Sequence, residues 1–401
     1  MTQTAHAHTS SPTPSSWVES RLPYLDNLKV ALIAAIIALH GVASYAGSVE
    51  AWTYSGVREV TLAPATEIVI SVVAAPFGLF LIALLFLVAG LLTPPSRARK
   101  GTARFTHDRL LRLGIPFAAY VLVIQPLLVY AGARLIGLPQ GGLREEWFGP
   151  ENRLDTGPLW FVGVLLVFSL GYAAWYASAR RPPGRHLAQG TGGRHPRPLT
   201  ARTLAAVAVV VAPASFAIRL VYPYGSESGV SDLNFWEWPA CLAVFVLGII
   251  AAEQGWLKEV PAGLARRSGV VTGVGVAAMA GLLVVAGLRE GIDDLLGGWS
   301  PLAMAFAGAE AMLTVFGSVW LLAVVQRRFD RHYRFGPQLA RSAYGAFIVQ
   351  TLFLLGFAIL LRPVGAPAEV KALLVATGGV VCSFGAAWLL VRWVPGVRRI
   401  L

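Results

Sequence analysis

The chain has 401 residues, of which 56% are hydrophobic and only 13% charged, with a mean hydropathy of +0.62. Soluble domains carry about a quarter charged residues, so this composition excludes a soluble enzyme and points to an all-α, polytopic integral membrane protein. The net charge of +12 does not imply a nucleic-acid partner, because the basic residues sit in short connections between apolar runs. Cys241 and Cys382 stand alone within apolar stretches, so no disulfide framework, metal site or redox centre is expected.

Residues 1–20 are rich in Ser, Thr and Pro and lack the regions of a signal peptide. They predict a disordered cytoplasmic tail ahead of an uncleaved first span. Crossing ~30 Å of hydrocarbon takes ~20 helical residues. Ten stretches qualify, near 27–46, 67–92, 110–133, 157–178, 203–221, 237–254, 268–288, 299–325, 340–361 and 369–393. They form one transmembrane domain over 21–401, with a flexible basic linker at 179–202. Alternate connections gather 25 of the 33 Lys and Arg residues on one side. The positive-inside rule makes that side cytoplasmic and places both termini there. The opposite side carries Glu59, Glu67, Asp155, Asp293 and Asp294, with Trp160, Trp236 and Trp299 at or near helix ends. An interfacial aromatic belt accounts for such tryptophans, and stacked aromatics beside carboxylates also suit sugars.

No P-loop, HExxH or GxSxG element occurs, and Gly273, Gly275 and Ala278 fit GxGxxA inside an apolar span, where small residues serve helix packing. Ionisable residues in the spans are costly in lipid and are the functional candidates. In the first span, Asp26, Lys29, Ile33, Ile36, His40 and Ser44 share one helix face. Lys29 and His40 lie ~16 Å apart along the axis at ~1.5 Å per residue. His40 is either a structural hydrogen-bonding group between helices or a proton-handling one. Arg109 and Arg112 form an i,i+3 pair at the entry of span three, which serves either membrane anchoring or recognition of phosphates. Glu310, inside span eight, has three readings: orienting His40, lining an acceptor pocket, or bonding between helices as a neutral acid.

Taken together, these segments resemble acyltransferase family 3, the membrane O-acyltransferases. Lys29 and His40 keep the spacing of the family's Arg-x10-His element, with lysine for arginine, and the Leu25–Lys29 stretch LDNLK resembles its LDxLR opening. LFLVAGLLTPPS resembles the family's small-residue turn after span two, and Arg109-Leu-Leu-Arg112 its RxxR. GPLWFVGVLLVFSLGY, with Trp160, is similar to the fourth-span motif, but Gly163 and Val164 stand where many members place glutamates. RSAYGAFIVQTLFL is similar to SYxxYLxH, with Gln350 in place of the histidine. The LDN and GPLWF forms are most similar to a subgroup that includes glucan-modifying succinyltransferases.

The resemblance implies acyl transfer from cytoplasmic acyl-CoA to a hydroxyl of an extracytoplasmic glycan or another small hydroxylated acceptor, with no bound cofactor. His40 is then the catalytic candidate; Asp26, on the same face of span one, and Glu310, which no family motif places, are further catalytic candidates. Lys29, Arg109 and Arg112 are expected on the donor's phosphates, and Trp160, Tyr344 and Gln350 near substrate. Two further classes fit ten spans with buried charges: a secondary transporter for a glycan or organic anion, which an inverted repeat would favour, and a non-catalytic scaffold.

Overall fold

The computed structural model describes residues 22–48, 54–138, 142, 155–178, 198–225, 233–289 and 291–396. The tail at 1–20 and most of the linker at 179–202 fall outside them. Among the described residues there is no strand, and ten helices are long and apolar enough to cross a membrane. They are α1 (Pro23–Ala43), α2 (Pro64–Lys100), α3 (Thr102–Leu135), α4 (Gly157–Ser178), α5 (Ala201–Arg219), α6 (Phe235–Glu253), α7 (Ala262–Leu288), α8 (Pro301–Arg328), α9 (Gly336–Leu361) and α10 (Ala368–Trp393). Each overlaps one of the ten expected spans.

The helices depart from expectation at their basic ends. The TPPS stretch expected to be a turn is helical, and α2 continues to Lys100 before Gly101 turns the chain at φ +78°. A membrane helix tolerates Pro94 and Pro95 where neighbours or water satisfy the carbonyls they leave without a donor. Because α3 starts at Thr102, Arg109 and Arg112 lie inside a helix, beyond its entry.

Two features of α3 follow from proline chemistry. The helix widens into π-turns at Leu110–Gly114 and Tyr120–Ile124, and each ends two residues before a proline, Pro116 and Pro126. A proline has no N–H for the carbonyl four residues back and its ring crowds that carbonyl, so the backbone widens there.

Close helix approaches fix the bundle. α2 crosses α6 at Gly90 and Gly248, where an added Cβ would lie 2.2 Å from the Phe245 carbonyl oxygen and 2.3 Å from that of Leu87. α1 packs on α9 and α10, and beside His40 a Cβ on Gly41 would sit 2.7 Å from the Ala376 Cα. Small residues let backbones meet in this way where no hydrophobic force pushes helices together in lipid. On the far side of α2 and α6, α8 packs on α5 and α7.

The helix ends sort into two faces. On the basic face, Asn27 Nδ2 donates to the Phe329 and Arg331 carbonyls at 2.7 and 2.8 Å. There too Tyr24 Oη donates to the Leu257 carbonyl at 2.6 Å. On the acidic face, the segment after α1 is strapped down from α9 and α10. Arg362 donates to the Val57 carbonyl, Lys371 pairs with Glu59, and Glu369 accepts from the Ala63 N–H.

Candidate active site

His40 occupies the last turn of α1, toward the acidic face, and meets α9. The amide of Gln350 is fully buried and held by its own backbone: Nε2 donates to the Phe347 carbonyl at 3.0 Å. That bond leaves Oε1 facing His40 Nδ1, also at 3.0 Å. An acceptor at Nδ1 places the imidazole proton there and makes Nε2 the basic nitrogen. Gln350, expected near substrate, is therefore a positioning group for His40, as a neutral amide is in Cys-His-Asn proteases.

The next residue on α9 begins a hydrogen-bond chain. Tyr54 Oη, from the strapped segment, donates to Thr351 Oγ1 at 3.2 Å, and its ring centroid is 6.5 Å from that of His40. Tyr120 Oη donates to Gln125 Oε1 at 2.7 Å, so it accepts from Thr351 Oγ1 at 2.6 Å. Gln125 Nε2 in turn donates to Asp155 Oδ2 at 2.5 Å, and the other carboxylate oxygen accepts from the Gly157 N–H at 2.6 Å. Every proton in this chain points toward the Asp155 carboxylate. The second π-turn supplies Tyr120 and Gln125 follows it directly, consistent with π-turns clustering at functional positions. Gly157 closes the corner at φ +46°, where a Cβ would meet Tyr120 Oη at 3.0 Å. Trp160, one turn later, is buried in the main core.

At the basic face, Lys29 pairs with Asp26 at 3.9 Å on α1. Asp26 stays at that end, lining a cavity of about 20 Å³ with Arg331 and His332, so the structure does not bring it to His40. Arg109 lies over the Phe105 ring at 5.0 Å, and Arg112 is exposed. Tyr344, expected near substrate, donates from Oη to the Arg112 carbonyl at 3.0 Å. This is the carbonyl whose usual i+4 partner is Pro116, so Tyr344 replaces the donor that the proline lacks.

Glu310 departs from the reading that ties it to His40. Its Oε1 accepts from Arg219 Nη2 at 2.6 Å, both residues being about 1% exposed. Arg219, the last residue of α5, also lies over the Tyr224 and Phe306 rings, and Glu237 is buried nearby. A guanidinium buried in a bundle captures a carboxylate within reach, which explains why Glu310 is committed to α5 and not to α1.

Sequence reasoning missed Arg219, Tyr54, Tyr120, Gln125 and Thr351 as site residues. Gln125 alone carried a visible signal, an amide inside the apolar run YVLVIQPLL.

Fold and site thus define an all-α membrane protein with an oriented histidine toward one face and an arginine pair toward the other. Residues 22–392 match the acyltransferase domain of acyltransferase family 3, and the chain belongs to that family of membrane acyltransferases. Searches of curated proteins and of solved structures gave no match.

Proposed function

We propose that the protein moves an acyl group from cytoplasmic acyl-CoA to a hydroxyl of an extracytoplasmic glycan or similar small hydroxylated acceptor. In this reading the basic face is cytoplasmic, both termini are inside, and the membrane is the cell membrane. The observation that carries it is the Gln350-oriented imidazole of His40, displaced along α1 from the basic face, the side that carries Lys29 on α1 and Arg109 and Arg112 on α3.

Donor phosphates suit guanidinium forks and the Lys29 ammonium at the basic face, and the thioester arm extends from there toward His40. His40 Nε2 takes the proton of the acceptor hydroxyl as its oxygen forms a bond to the thioester carbonyl carbon. The tetrahedral intermediate then expels the CoA thiolate as the C–S bond breaks, and the imidazolium returns its proton to that sulfur. The products are ester and free CoA, with no net proton gained or lost. The Tyr54–Asp155 chain fixes the acidic-face wall of the site. The LDN and GPLWF resemblance favours a carbohydrate acceptor.

The test compares envelope glycans by mass spectrometry in cells carrying wild type, His40→Ala or no gene. A general base contributes ~10²–10⁴-fold, so His40→Ala should match the deletion while remaining in the membrane at normal abundance. A mutant retaining full acylation returns His40 to a structural role.

A further inference from the structure

Three cations are buried among the described residues: Arg97, Arg219 and Lys371. Arg219 has Glu310 and Lys371 has Glu59. Arg97, near the basic end of α2, has no carboxylate within 4.0 Å, and its Nε–H is buried without an acceptor. Its guanidinium lies 3.3 Å from the centroid of the Tyr176 ring, whose hydroxyl is also buried and unpartnered. It interacts with the Tyr172 hydroxyl as well, while the exposed Glu253 forms no ion pair with it.

The aromatic line continues from Tyr172 to Phe105, with ring centroids 6.4 Å apart, and Phe105 carries the Arg109 guanidinium at 5.0 Å. Arg97 and Arg109 therefore stand at the two ends of one line of aromatic rings, Tyr176, Tyr172 and Phe105, with Tyr172 meeting Phe105 edge-on. A buried cation in a bundle is held by a counter-charge or belongs to a ligand site, and among the described residues no carboxylate forms an ion pair with Arg97. Guanidinium groups bind phosphate as a fork, and flat tyrosine faces next to them suit a heterocycle.

We propose that Arg97 binds a phosphate of the nucleotide half of the acyl-CoA donor, with the Tyr176 ring beneath it and the Tyr172 hydroxyl beside it. The proposal rests on the donor reading above and adds a second phosphate position to the Arg109–Arg112 pair. An anionic lipid headgroup presents the same phosphate chemistry at this face, so the test separates the two sources.

Purified wild type, Arg97→Gln and Arg97→Lys in nanodiscs are titrated with CoA and with pantetheine, which lacks the nucleotide. Each titration is run in phosphatidylcholine alone and with added phosphatidylglycerol. In Arg97→Gln, CoA affinity should fall at least about tenfold, about 1.4 kcal/mol, with pantetheine affinity unchanged in both bilayers. Arg97→Lys keeps the charge but loses the fork, so it should bind CoA more weakly than wild type and more tightly than Arg97→Gln. Equal losses for CoA and pantetheine, or a CoA loss confined to the anionic bilayer, overturn the assignment. So does unchanged CoA affinity in Arg97→Lys, which serves as the deciding variant if Arg97→Gln does not fold. Wild-type protein that binds no CoA overturns the donor reading itself, whereas binding that ignores Arg97 overturns only this site.

Discussion

Replacing Gln350 with methionine tests the orientation of His40 directly. Methionine has a similar shape but no amide oxygen, so the 3.0 Å bond to Nδ1 disappears with little change in packing. Gln350 is fully buried, so water does not enter easily to replace the acceptor. A buried N–H left without an acceptor costs ~1–3 kcal/mol. The imidazole escapes that cost by moving its proton to Nε2, which removes the lone pair the reaction needs. At ~1.4 kcal/mol per decade of rate, turnover should fall ~10–100-fold, with KM for the donor little changed because the basic face is untouched. The assay pairs steady-state acyl transfer in nanodiscs with nitrogen NMR of the His40 ring, which reports the tautomer. A folded Gln350→Met protein with unchanged turnover and the proton still on Nδ1 would refute the reasoning.

Tyr344→Phe removes the one side-chain donor to the Arg112 carbonyl among the described residues, and donor affinity should drop a few-fold, in line with ~0.5–1.5 kcal/mol for one solvent-accessible hydrogen bond. Equilibrium binding of CoA reads this, and unchanged affinity would separate Tyr344 from the arginine pair. Glu310→Leu breaks the buried ion pair of Arg219, which keeps Glu237 nearby but loses its bonded carboxylate, and should destabilise the protein by up to ~3–5 kcal/mol, seen as a lower melting temperature. Since Glu310 bonds α5, Glu310→Gln and His40→Ala should be additive in a double-mutant cycle, and a measurable coupling would contradict the geometry. Cysteine labelling in intact cells should protect positions near 100, 262 and 332 and modify one near 295, as the basic asymmetry requires.

The fold was legible because lipid imposes its rule on every span: ~20 apolar residues and internally satisfied backbones. Helix ends were less so, since headgroup-level helix costs little and α2, α3 and α8 run on through basic residues that hydropathy counts as loop. The site divides the same way. His40 stood out as an imidazole in an apolar helix, and Arg109 and Arg112 as a spaced pair. Gln350 was visible as a polar residue, yet its role depends on the Phe347 carbonyl, a contact that spacing alone does not reveal. Glu310 shows the opposite limit: its depth suggested a match to His40, but depth along the membrane normal says nothing about which helices are neighbours. Arg219 counted only as one basic residue on the acidic side, and its burial against Glu310 is a property of the α5–α8 packing.

Span three links the two ends of the site, and its prolines explain how. Each π-turn adds one residue to a turn, which rotates everything beyond it by roughly 100° about the helix axis relative to an unbroken α-helix. A regular helix carrying Arg112 to the basic face at Tyr344 would therefore aim Tyr120 and Gln125 in a different direction. With the first π-turn in place, Tyr120 reaches Thr351 on the same helix α9 that holds Tyr344 and Gln350. α3 thus hydrogen-bonds to α9 at two levels, once through a carbonyl that Pro116 leaves without its usual donor and once through the Tyr120 hydroxyl. Pro116→Ala restores an N–H at position 116 and relaxes the need for the π-turn. Its effect should appear at both levels together, as weaker donor binding and as lower turnover, although Pro116 itself touches neither His40 nor a phosphate. A loss confined to one level would mean that the two halves of α3 are set independently.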